Sequence, residues 1–74
     1  MKPFKSLLKS ERKRLKLSGK ELSERARVPN TLISALEHGK RHIGELTARK
    51  LGKALKLKGA EQEKFVLSAM DESH

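Results

Sequence analysis

Few side chains in this sequence could carry out covalent chemistry, and their spacing argues against it. His38 and His42 stand four residues apart, a metal-ligand spacing on an unbroken helix, but Gly39 lies between them and favours a helix end there. Cysteine is absent, which excludes thiolate nucleophiles, thiolate metal sites and disulfides and suits a reducing, cytoplasmic setting. The serines have no His and Asp in an evident triad arrangement, and no glycine-rich loop is placed to cradle a nucleotide. No enzyme activity, metal or cofactor is expected. What the chain has in quantity is positive charge, and the chemistry of clustered Lys and Arg is the binding of polyanions.

Eighteen Lys and Arg oppose nine Asp and Glu, for a net charge of +9. The charge is uneven. Residues 1–58 hold 17 basic and 5 acidic side chains, a balance of +12, whereas residues 59–74 hold 1 basic and 4 acidic, a balance of −3. Charge alone fits a polyanionic partner, a solubilising surface or a ribosome-associated protein equally well, because it carries no sequence resolution. No apolar run approaches the roughly 20 residues of a membrane span, and the apolar part of the N-terminus is too short for a secretion signal. With 74 residues, one small domain with a marginal core is expected.

The elements that must position these residues read as five short helices. Phe4, Leu7, Leu8, Glu11 and Leu15 follow helical spacing on one stripe, after Pro3 at the helix start. Ser18 and Glu21 have the spacing of a capping box for a second helix, which should stop near Arg27 because Pro29 disfavours helical Val28. A third helix starts at Pro29 or Asn30, buries Leu32, Ile33 and Leu36, and ends at His38, with Gly39 as the left-handed residue beyond it. A loop over 40–44 leads to a fourth helix over about 45–57, with Leu46, Ala48, Leu51, Ala54 and Leu55 apolar. Gly52 within it costs about 1 kcal/mol against Ala unless a close helix contact wants it. A fifth helix, 60–70, carries Phe65, Val66, Ala69 and Met70 on one side. Nothing alternates as a strand would, and no internal repeat is evident. The fold class is therefore all-α: residues 1–58 form the core, and residues 59–74 add a C-terminal helix and acidic tail to the same domain.

Two short helices joined by a tight turn in a basic domain suggest a helix-turn-helix. Residues 17–41 sharpen this: Leu17, Ser18, Leu22, Val28, Ile33, Ser34, Leu36, Glu37, Gly39 and Arg41 match, in order and spacing, the pattern of the lambda repressor/Cro (Xre-type) DNA-binding family, which the chain resembles over about residues 4–57. The departures are Gly19 where the family usually has Gln, Arg27 where it often has Gly at the turn, and Pro29 where it has a capping Ser or Thr; Ser23 stands where it prefers Ala.

The resemblance implies a compact five-helix domain of lambda repressor-like type whose third helix enters the major groove of double-stranded DNA. By it, Asn30 and Thr31 take the main base-reading positions and Ala35 follows one turn later; Asn suits adenine N6 and N7, and Thr or Ala a thymine methyl. Ser18, Lys20, Ser34, Lys40, Arg41 and His42 would hold phosphates, and Arg12 would pair with Glu37 as a structural ion pair. Phe65, Val66 and Met70, with the end of the fourth helix, are the candidates for a homodimer interface; the alternative is that they close the core of the monomer. The implied function is a sequence-specific transcriptional regulator, a repressor on a palindromic operator. The alternatives are an antitoxin with a toxin as partner protein, a restriction–modification controller, or a protein–protein adaptor on the same scaffold.

Overall fold

A computed structural model of the chain describes residues 3–71. Five helices follow one another: α1 (Phe4–Arg14), α2 (Gly19–Ala26), α3 (Asn30–Glu37), α4 (Glu45–Ala54) and α5 (Gly59–Asp71). There is no strand among the described residues, and the end of the acidic tail lies outside them. None of these helices is long and apolar enough to cross a membrane.

The helix starts are set locally. Pro3 precedes α1 and Pro29 precedes α3, each in an extended conformation where no backbone N–H is needed. At α2 the Ser18 hydroxyl accepts from the Glu21 N–H at 3.0 Å, and the Glu21 carboxylate accepts from the Ser18 N–H at 2.9 Å, which closes the capping box. The bond from the Ser18 backbone favours the charged carboxylate and holds Glu21 below the usual carboxylate range.

The helix ends share one design. After α1, Lys16 adopts a left-handed conformation (φ 58°); its N–H bonds Lys13 O, and the Leu17 N–H bonds Arg12 O. After α4, Lys56 (φ 61°) bonds Lys53 O and Leu57 bonds Gly52 O in the same way. Arg27 (φ 58°) ends α2, and Gly39 (φ 71°) ends α3. A left-handed non-glycine residue costs roughly 1–2 kcal/mol. Burial of the next residue offsets that cost: Leu17 and Leu57 are both inside the core. The five-residue pattern Leu-Lys-Leu-x-Gly thus occurs twice, at 15–19 and 55–59, closing one helix and opening the next each time. The second copy ends α4 at Ala54, three residues before the end expected from periodicity.

The core collects Phe4 and Leu8 from α1, Leu22 and Ala26 from α2, Ile33 and Leu36 from α3, and Ala48 and Leu51 from α4. Phe65, Val66 and Ala69 of α5 complete it, with Leu17, Ile43, Leu55 and Leu57 from the connections. Phe65 packs tilted against Phe4, ring centres 5.1 Å apart, and joins the last helix to the first. Phe65 and Val66, expected as dimer-interface candidates, are therefore corrected to core residues: with 1% and 2% exposure they have no surface to offer a partner. Met70 is 39% exposed, and the outward positions Leu67 and Leu46 are exposed further. Gly52 is the close contact between α4 and α5. The Gln62 side chain lies where a Cβ would stand, and its amide donates to Arg49 O.

Candidate nucleic-acid interface

The third helix is tied to α1 by an ion pair. Arg12 Nε donates to Glu37 Oε2 at 2.6 Å and Nη2 donates to Glu37 Oε1 at 2.9 Å, a two-point fork; Nη1 donates to Leu17 O at 2.8 Å. The side chains are only 16% and 10% exposed. Glu37 sits in the last turn of α3, where the helix dipole disfavours a carboxylate, so the cation opposite it is what makes the position tenable. The hydrogen bonds to Glu37 hold the Arg12 guanidinium above its ordinary, already very high, value. The Lys5 side chain also lies over Gly39, so a second α1 cation stands near the negative end of α3.

The outer face of α3 carries two rows. Asn30, Ser34 and His38, each a turn apart, line one depression with Gly19, Lys20 and the Arg12–Glu37 pair. Asn30 approaches the start of α2 closely: a Cβ at Gly19 would stand 3.1 Å from Asn30 Oδ1. The glycine that replaces the usual Gln thus makes room for the Asn30 amide. The second row, Thr31 and Ala35, lines a depression with Pro29, Leu32, Lys40 and Arg41. Asn30, Thr31 and Ser34 are exposed, while Ala35 is half-buried. His42 is exposed in the same loop but lines neither depression. The loop is anchored by Ile43, a buried residue that periodicity could not flag outside a helix.

The structure adds detail at two positions. The N–H groups of Ser18 and Glu21 are taken by the capping box, so a phosphate there would meet the Ser18 hydroxyl proton, Lys20 and the N–H groups of Gly19 and Lys20, beside a carboxylate. His38, which the break at Gly39 sets apart from His42, bonds Ser34 O through Nδ1 at 2.7 Å. A carbonyl only accepts, so Nδ1 carries the proton and Nε2 faces away from it. The spacing 30, 34, 38 was the available signal for adding His38 to this face.

The helix-turn-helix family model matches residues 8–62, which takes in α2, α3, α4 and most of α1. The chain belongs to the lambda repressor-like (Xre-type) helix-turn-helix family. No curated protein and no solved structure matches. For this helix-turn-helix chain the family establishes the all-α fold class and a DNA-binding regulatory domain. α2 and α3 are the two helices joined by the tight turn, which Arg27 makes in the left-handed conformation usually given to glycine.

Proposed function

We propose that this protein is a sequence-specific repressor that binds a palindromic operator as a homodimer. The observation that carries this reading is the chemistry of the α3 surface: Asn30 and Thr31 are exposed at its leading end, with Lys20 on one side and Lys40 and Arg41 on the other. Uncharged hydrogen-bonding groups at the centre read base edges, and flanking cations hold the two phosphate strands. Asn30 pairs with adenine, and Thr31 and Ala35 meet a thymine methyl. Ser18, Lys20, Ser34, Lys40, Arg41 and His42 contact the backbone. The Arg12–Glu37 pair aims the helix.

One recognition helix reads only a few base pairs, too few for useful discrimination, and a two-fold dimer doubles the site. Among the described residues, Leu67 and Met70 of α5 and Leu46 of α4 are the large apolar side chains that stand exposed, and Leu67 is the one on α5 that a dimer contact would cover first. Selection of bound duplexes from a random pool at stated salt tests the reading. The expected product is an inverted repeat, each half containing adenine at a fixed position, with half-site centres roughly 34 Å apart. A pool that stays random after selection contradicts it.

A further inference from the structure

A second gathering of positive charge lies away from the α3 face. Arg25 and Arg27 at the end of α2 and Lys50 and Lys53 on α4 line one open groove; Lys53, Lys56 and Lys58 line a second depression that runs on to the start of α5. The two share Lys53 and form one continuous track of six cations. All six are exposed, and no acidic side chain lines either part. Three other basic residues of the fold are paired with carboxylates: Arg12 with Glu37, Arg14 with Glu11, and Arg49 with Glu45 and Glu63. The track gathers like charges with no acidic side chain in its lining, Arg25 alone being seen to feel a carboxylate, that of Glu21 on α2; the mutual repulsion costs stability and is relieved by a polyanion.

The track is also separate from the recognition surface. No α3 residue lines it, and none of its six cations lines the depressions around Asn30 and Thr31. α2 packs against α3 and also against α4, so it stands between the two surfaces. The apolar lining is small or recessed: Ala26 and Leu57 are buried and Ala54 is half-buried, so the track offers no large exposed apolar anchor of the kind a protein interface centres on. It has point charges and almost no side chains suited to reading bases, which is the composition of a phosphate-backbone contact.

We propose that this track binds the phosphate backbone of a second duplex segment while α3 holds the first, so that the protein bridges two stretches of DNA. The occupancy of the first duplex rests on the function proposed above; the second contact is independent of base sequence.

The test uses two populations of one short duplex, carrying donor and acceptor dyes, mixed with the full chain at low salt; energy transfer reports bridging, and anisotropy reports binding of a single duplex. Three proteins are compared: wild type, the variant Lys50→Gln/Lys53→Gln/Lys58→Gln, and the variant Lys40→Gln/Arg41→Gln. All five positions are exposed, so the fold should persist, and circular dichroism checks it. The triple variant should bind one duplex within about threefold of wild type and lose bridging by about tenfold or more, and rising salt should abolish bridging before single-duplex binding. The proposal is overturned if wild type binds without bridging or if the triple variant bridges normally, as it would if two recognition helices of a dimer did the bridging. It is equally overturned if single-duplex binding and bridging fall together, which would place the track on the first duplex. Failure of the α3 reading has its own signature, unchanged single-duplex binding in the Lys40/Arg41 variant.

Discussion

Arg12→Met and Glu37→Leu should each destabilise the protein severely, and the double variant should recover part of the loss. Removing one partner strands the other charge in a site that is only 10–16% exposed, and breaking such a pair costs roughly 3–5 kcal/mol. A domain of this size has on the order of 5–10 kcal/mol in total, so either single variant sits near the edge of folding. The geometry also ranks the two. Arg12→Met abandons both Glu37 and the Leu17 carbonyl, whereas Glu37→Leu leaves Arg12 its bond to Leu17. Arg12→Met should therefore be the worse single change. The double variant should fall short of wild type by about 1 kcal/mol, the net worth of the bond lost at Leu17. Urea melts of the three variants measure this. Single losses under about 1 kcal/mol, the range of exposed pairs, would show that the pair is only a surface contact.

Phe65→Ala should cost roughly 3–5 kcal/mol, because it empties the space against Phe4 at a position with 1% exposure. Leu67→Ala, two residues on but 61% exposed, should cost less than about 0.5 kcal/mol. A chain ending at Lys58 loses Phe65, Val66 and Ala69 together and should show no cooperative melt. α5 is thus part of what makes the domain fold, and truncation cannot serve to ask whether it mediates dimer formation. Thermal melts followed by circular dichroism test this; a chain ending at Lys58 that melts like the intact one would show that α5 is an appendage.

What the sequence disclosed depended on whether the determining interaction was local. The capping box at Ser18 and Glu21 and the stop at Gly39 follow from residues within four positions of each other. The Arg12–Glu37 pair joins residues 25 apart, and only the register of the family resemblance brought them together. The helix ends at Lys16 and Lys56 were not legible because the left-handed residue there is not glycine; tertiary burial of Leu17 and Leu57 selects that conformation. Periodicity marked Phe65, Val66 and Met70 as one apolar side but could not say what covers it. The core covers the first two and leaves the third at the surface. The cationic track was invisible for the same reason, since 25–27 and 50–58 are neighbours only after α2 packs on α4.

The most direct test of the recognition surface compares Asn30→Ala with Arg41→Ala on the best selected duplex and on a random duplex, across a salt series. Asn30→Ala should weaken the selected site by about 1–3 kcal/mol, relax preference at one base position and leave random-sequence binding nearly unchanged. Arg41→Ala should weaken both duplexes alike and lower the salt slope by about one. Equal losses on both duplexes for Asn30→Ala would contradict base reading by α3.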